Sequence, residues 1–248
     1  MVKLKINGRP FKVKEGMTIL EIAKENDIPV PTLCYYEEVS PAGSCRLCVV
    51  EITSQKNHPL VTACTFPAEE GLEIRTHSKR VVASRRVAME LLLARAPHSD
   101  KILELADEMG VETPSFPVKE NACILCGLCV RACREMIGRS AITFMARGPG
   151  REEEASIQPS PERCIACGTC VYLCPTRFIK MEDYEDLRII WDKVYKAKDH
   201  LISGRFYAPI ELVDYVHKKE GLDLHCFYDE TPSYLQKDDV AKKKGHKK

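Results

Sequence analysis

This chain of 248 residues has no apolar run long enough to span a membrane. Its most apolar stretch, Val81 to Ala96, is broken by Arg85, Arg86, Glu90 and Arg95, whereas a span needs about 18 uninterrupted residues. Charge of one sign is lacking too: 37 Lys and Arg against 36 Asp and Glu leave +1. There is therefore neither the basic field that holds nucleic acid nor the acidic excess of a disordered chain. Met1-Val2-Lys3-Leu4-Lys5-Ile6 alternates charge and apolarity and lacks the apolar centre of a secretory signal, which implies a cytoplasmic protein with no membrane span. Gly148-Pro149-Gly150 does not make a dinucleotide fingerprint and no phosphate loop is present, so the chain is expected to bind neither NAD nor flavin itself.

Cysteine is what the chain has in excess. Of 13 cysteines, 12 fall into three groups of four, and only Cys226 stands apart. Reduced cysteines in C-x2-C spacing hold metal more often than they form a disulfide framework. Cys226, in Leu224-His225-Cys226-Phe227, reads as a small buried hydrophobe and is given no role.

The first group sits in a strand-rich region. Val2, Leu4 and Ile6 alternate before Asn7-Gly8, and Phe11 and Val13 alternate after it, which predicts a hairpin. Thr18 and Glu21 form a capping box ahead of Ile19, Leu20, Ile22 and Ala23, and Asp27-Ile28-Pro29 stops that helix. With further strands at 49–52, 60–62 and 72–74, this is a β-grasp pattern, a small mixed sheet clasping one helix. Helical spacing of Val82, Ala83, Val87, Leu91 and Leu92 predicts a helix over 79–96, and a second over 101–109 ends at Gly110.

Residues 123–133 and 164–174 are an ungapped repeat. Cys123-Ile-Leu-Cys126-Gly-Leu-Cys129-Val-Arg-Ala-Cys133 matches Cys164-Ile-Ala-Cys167-Gly-Thr-Cys170-Val-Tyr-Leu-Cys174, with a Gly/Glu/Pro-rich insertion at Gly148 to Pro161 between them. C-x2-C-x2-C-x3-C is the spacing of a bacterial two-cluster ferredoxin, in which three thiolates wrap one cubane and the fourth crosses to the other. By that crossover Cys123, Cys126, Cys129 and Cys174 hold one [4Fe-4S] cluster, and Cys164, Cys167, Cys170 and Cys133 hold the second. Cys34, Cys45, Cys48 and Cys64, on loops of the β-grasp, suit a planar [2Fe-2S] rhomb with two thiolates per iron. Zinc in four-cysteine sites is the competing reading, although zinc modules use paired C-x2-C knuckles rather than triplets with a trailing cysteine.

After 180, Leu187, Ile190, Trp191, Val194 and Leu201 recur at helical spacing and are read as a docking helix for a partner or for the linker. A short helix is expected after Pro209, and Lys242 to Lys248 reads as a disordered polar tail.

The combination of C-x10-C-x2-C-x15-C, a helical linker and the doubled motif with Val130-Arg131-Ala132-Cys133-Arg134-Glu135 resembles the amino-terminal part of the 75 kDa (G) subunit of respiratory complex I. It also resembles the short diaphorase-type subunits of NAD-linked hydrogenases and formate dehydrogenases, and the amino-terminal domains of iron-only hydrogenases. The likeness covers about residues 1–180. Those relatives carry a His-x3-Cys-x2-Cys-x5-Cys site in the linker. Here no cysteine lies between Cys64 and Cys123, so that cluster is expected to be lost and His98 to be an ordinary surface histidine.

The fold class implied is α+β. A β-grasp [2Fe-2S] ferredoxin-like domain (1–78) is followed by a helical linker (79–115), a two-[4Fe-4S] ferredoxin domain (116–180) and a partly helical C-terminal extension (181–248). The function implied is a single-electron relay, not catalytic alone, between a flavoprotein NAD(P)H-oxidising subunit and a catalytic oxidoreductase subunit. The alternatives are an iron-sulfur subunit of a succinate dehydrogenase or fumarate reductase-like complex, whose first group follows C-x4-C-x2-C, and a free polyferredoxin shuttle.

Overall fold

The computed structural model describes residues 1–118, 122–145, 156–184, 186–199, 206–221 and 234–235. It divides into two compact units, Met1–Leu128 and Cys129–Lys248. Cys226, Leu201 and the 242–248 tail lie outside the described residues.

In the first unit β1 (Val2–Ile6) and β2 (Arg9–Val13) pair antiparallel, with Ile6 opposite Arg9. Asn7 and Gly8 form the two-residue connection, both at positive φ, 52° and 81°. That left-handed pair matches the right-handed twist of the strands, and Asn-Gly supplies it with little strain. Helix α1 (Ile19–Glu25) opens on the expected capping box: Thr18 Oγ1 accepts from Glu21 N at 3.2 Å, and Glu21 Oε2 accepts from Thr18 N at 2.7 Å. β3 (Val49–Ile52), β4 (Leu60–Thr62) and β5 (Glu73–Arg75) complete a five-stranded sheet in the order β2-β1-β5-β3-β4, parallel only between β1 and β5. Ile19, Leu20 and Ile22 of α1 are fully buried in one core with Leu4, Ile6, Val50, Ile52 and Ile74, and Cys48 and Cys64 belong to the same core.

Helices α2 (Lys79–Arg95) and α3 (Asp100–Glu108) follow. Ser78 caps α2, and Arg80 in its first turn binds Glu51 of β3 at 2.8 Å and the His58 carbonyl at 2.6 Å. The Ser78 hydroxyl first, and then Arg80, hold the Glu51 carboxyl below the usual carboxylate range. The face that α2 buries differs from the expected one. Val82, Val87 and Leu91 are half exposed, while Val81, Ala88, Met89, Leu92 and Leu93 are buried. Apolar residues run around the whole of this helix, so spacing alone could not choose the inward side. His98 is exposed in the turn before α3.

The second unit contains α4 (Leu128–Glu135) from Cys129 onward. β6 (Ile142–Met145) pairs with β7 (Ser156–Pro159), so the far end of the Gly/Glu/Pro-rich insertion is a strand. After the single-turn α5 (Thr169–Tyr172) come β8 (Met181–Asp183), β9 (Leu187–Ile190), β10 (Lys193–Asp199) and β11 (Phe206–Pro209). They form an antiparallel sheet ordered β11-β10-β9-β8. Helix α6 (Ile210–Glu220) starts after Pro209 as expected and ends at Gly221. β12 (Tyr234–Leu235) pairs with β10. Tyr215 of α6 donates its hydroxyl to the Ile137 carbonyl and lies 5.5 Å under the Arg139 guanidinium, which fastens α6 to the segment after α4.

Over its described residues, 187–199, the expected helical stripe is instead a β-hairpin. Leu187, Ile190 and Val194 recur three and four apart because two turn residues, Trp191 and Asp192, are inserted between strands that bury Leu187, Ile190, Val194 and Tyr195. Both turn residues are left-handed, at φ 55° and 59°, the geometry that Asn7-Gly8 adopts elsewhere in the chain. For a tryptophan this conformation costs on the order of 1–3 kcal/mol, and no Gly or Asn at the tip announced it. Among the described residues of this segment there is no docking helix.

Candidate iron-sulfur sites

In the first unit Cys34, Cys45, Cys48 and Cys64 are each at least 95% buried and gather as two pairs. Cys48 and Cys64 have their Sγ atoms 3.4 Å apart, and Cys34 shares a thiol hydrogen bond with Cys45. The pairs come from different elements. Cys48 immediately precedes β3, Cys64 follows β4, and Ala63 N donates to Cys48 O at 3.0 Å across them. The start of α1 braces the same loop, since Leu20 N donates to Ala63 O at 2.9 Å and Ile19 N to Phe66 O at 3.0 Å.

Within each pair one thiol yields its proton more readily. The hydrogen bond from Cys34 brings Cys45 to about 6, and that from Cys64 brings Cys48 to about 7, while their partners are pushed upward first by the same bonds and then by burial. Backbone amides assist, with Cys45 N reaching Cys34 Sγ at 3.4 Å and Gly43 directed at Cys64. Gly43 adopts φ 61°, and a Cβ there would stand 3.1 Å from Thr62 Oγ1, so this position favours glycine. Arg85 of α2 lies near Cys48; burial lowers its pKa, the thiolate opposes that, and its Nη2 donates to Val49 O at 2.7 Å while its Nε has no partner.

In the second unit Cys133, Cys164, Cys167 and Cys170 line one cavity. α4 carries Cys133 and α5 carries Cys170; the loop between Ser160 and Gly168 supplies the other two. That loop is fixed from outside: Arg139 Nε donates to Arg163 O at 2.9 Å, Lys193 Nζ to Pro161 O at 2.8 Å, and Arg188 Nη1 to Ala166 O at 2.8 Å while its other nitrogens grip Asp183 at 2.6 and 2.9 Å. Ala141 N donates to Cys133 Sγ at 3.2 Å. Burial raises Cys133 and lifts Cys170 to about 12.

Sequence reasoning did not place Trp191 at this cavity. Trp191, at the tip of the β9–β10 turn, lines it. The indole is near enough to Cys170 to oppose the effect of burial on that thiol, yet its buried Nε1 meets hydrogen-bonding geometry with no protein atom.

The remaining four cysteines are divided, Cys123 and Cys126 in the first unit, Cys129 and Cys174 in the second. Cys123 and Cys126 are buried, and Arg95 Nε donates to Cys123 O at 2.6 Å. Cys174 Sγ accepts from Phe178 N at 3.3 Å. The sequence repeat extends to the backbone. Leu125 and Ala166, one in each copy, sit at φ 53° and 52°, and Gly127 and Gly168 at 73° and 79°. Alternating left-handed residues of this kind turn successive N–H groups toward one concavity, a setting for anionic sulfur.

These donor sets fit iron-sulfur clusters: soft sulfur ligands, buried in the first group and partly buried at Cys133, Cys164, Cys167 and Cys174, supplied with N–H donors, and in one case beside an unpaired indole N–H. Among the described residues no three His, Cys, Asp or Glu side chains are arranged to hold a single metal ion. A rhomb or cube spreads its irons and needs no such convergence.

Residues 1–79 match the 2Fe-2S iron-sulfur cluster binding domain, and residues 122–178 match the 4Fe-4S dicluster domain. The chain carries a 2Fe-2S cluster binding domain and a 4Fe-4S dicluster domain. It is 32% identical over 201 residues to NADPH-Fe(3+) oxidoreductase subunit alpha of Geobacter sulfurreducens, covering 71% of this chain and 24% of that one. To the NADH-ubiquinone oxidoreductase 75 kDa subunit of Dictyostelium discoideum it is 29% identical over 179 residues, 60% of this chain and 26% of that one. The chain thus spans about a quarter of the length of these curated relatives. A crystal structure of an NAD+-reducing [NiFe]-hydrogenase in the H2-reduced state superposes with a TM-score of 0.56 at 28% identity, over 71% of this chain and 79% of that one. The resemblance read from the cysteine motifs holds, and with it the α+β class. No helix among the described residues is long and apolar enough to cross a membrane.

Proposed function

We propose that this chain relays single electrons between a flavoprotein NAD(P)H-oxidising subunit and a catalytic subunit of a cytoplasmic oxidoreductase complex of the hydrogenase or formate dehydrogenase type. It holds one [2Fe-2S] cluster on Cys34, Cys45, Cys48 and Cys64, one [4Fe-4S] cluster on Cys123, Cys126, Cys129 and Cys174, and another on Cys164, Cys167, Cys170 and Cys133, and binds neither flavin nor NAD. The domain partition at 1–78, 79–115, 116–180 and 181–248 goes with this reading. The observation that carries it is the gathering of buried thiols into two close pairs in one unit and a four-cysteine cavity in the other.

A bound cluster supplies a reversible one-electron couple. The chain's own residues exclude water around the sulfur, through Leu47, Val50 and Ala63 beside the first group and Ile142 and Ile165 beside the cavity. Its amides at Cys45, Ala141 and Phe178 donate to sulfur, which favours the more negative redox state. A hydride donor transfers two electrons at once, so a flavin on a partner must separate the pair.

Anaerobic purification with iron, sulfide and zinc counts, followed by EPR during reductive titration, tests the proposal. The expected outcome is about ten irons per chain, one rhombic [2Fe-2S] signal and two interacting cubane signals. NADH alone should leave the isolated chain oxidised, and adding the flavoprotein partner should reduce it. Stoichiometric zinc with little iron, or NADH-driven turnover by the isolated chain, would overturn the reading.

A further inference from the structure

The β9–β10 turn is an unusual place for the chain's only tryptophan. Both central residues of such a turn need positive φ, which Asn-Gly meets readily and a bulky aromatic does not. The turn nevertheless holds Trp191 at φ 55°. Strain held at one position points to a role for the side chain that the strain delivers. Here it delivers the indole to the wall of the cavity lined by Cys133, Cys164, Cys167 and Cys170. The ring is steadied at an edge by Phe178, with centroids 6.5 Å apart and planes at 66°. Its one polar atom, Nε1, is buried and has no hydrogen-bond partner. A buried donor left unmade is costly, and an indole can only donate. An acceptor therefore belongs in front of it, and the cavity that the indole lines is also lined by the thiols of Cys133, Cys164, Cys167 and Cys170.

We propose that Trp191 donates its indole N–H to the sulfur of the cluster held by Cys133, Cys164, Cys167 and Cys170, on the Cys170 side, and so raises that cluster's reduction potential. This rests on the ligand set proposed above. Trp191 is neither a ligand nor an electron carrier. Its N–H stabilises the reduced cluster, which bears the greater negative charge on sulfur, more than the oxidised one. The charge balance is that of one electron gained or lost at the cluster, with no proton transferred.

Because there is one tryptophan in the chain, biosynthetic replacement of tryptophan by benzothienylalanine changes this group alone, exchanging N–H for sulfur at nearly constant shape. Trp191→Phe gives a second variant. The cubane in question is identified as the one whose signal disappears in Cys164→Ala. In redox titrations of the holoprotein followed by EPR, both indole replacements are expected to shift its one-electron equilibrium about tenfold toward the oxidised form, a fall of about 59 mV. The other two clusters should be unmoved. In the unaltered protein exchanged into deuterium oxide, ENDOR should show a deuteron coupled to this cluster that both replacements abolish. Intact iron content with an unchanged potential and an unchanged deuteron signal would overturn the inference and reduce Trp191 to packing. If Cys164→Ala costs no iron, the ligand set itself fails and this inference fails with it.

Discussion

Cys48→Ala is expected to strip about two of about ten irons from the chain and abolish the rhombic [2Fe-2S] signal while both cubane signals persist. Cys48 is fully buried, its sulfur is 3.4 Å from that of Cys64, and its carbonyl accepts from Ala63 N across the loop. Removing it leaves one half of the four-thiol set with a single sulfur, and among the described residues no other cysteine of the first group is available to replace it. Alanine is preferred to serine because an oxygen ligand can partly substitute for the thiolate. The strand should survive, since Val49, Val50 and Ile52 carry its packing. Iron analysis and EPR on the same sample decide the matter. A rhombic signal of full intensity in the variant would show that Cys48 is not a ligand.

Leu20→Ala should lower the stability of the first unit by about 2–5 kcal/mol, the range for deleting a large side chain from a close-packed core. Leu20 is fully buried among the strands of the five-stranded sheet, and its amide holds the Ala63 carbonyl beside Cys64. The loss is a large fraction of what keeps a small domain folded, and it corresponds to a fall in melting temperature on the order of 10 °C or more. Because the cavity opens behind Cys64, bleaching of visible absorbance on heating should come earlier together with loss of far-ultraviolet circular dichroism. Val82→Ala, half exposed on α2, is the control and should change stability by no more than about 0.5 kcal/mol. Equal melting of Leu20→Ala and the parent chain would show that α1 does not support the sheet.

The first unit was legible because its signals are local. Asn7-Gly8 fixes a turn by backbone chemistry, Thr18 and Glu21 mark a helix start, and alternation in β1 assigns one face inward. The cysteine repeat was legible in another way, since fixed spacing around a thiolate set restricts the loop, and Leu125 and Ala166 do share one conformation. What stayed hidden was determined by packing between distant segments. The inward face of α2 depends on contacts such as Arg85 to Val49 and Arg80 to Glu51, 36 and 29 residues away in sequence. The hairpin at 187–199 was misread because Trp191-Asp192 is a poor turn sequence whose strain the surroundings bear. Trp191 and Arg85 carried no motif, and their relation to cysteines emerges only when the chain is folded.

The position of Trp191 also has an optical consequence. A lone indole against the wall of a cysteine cavity is the chain's one long-wavelength ultraviolet emitter, and iron-sulfur clusters absorb broadly where indole emits. With the proposed cluster in that cavity, its fluorescence is expected to be quenched, and to rise when the cluster is removed. On the proposed ligand set, the strained turn would thus give the chain a built-in gauge of how full that one site is.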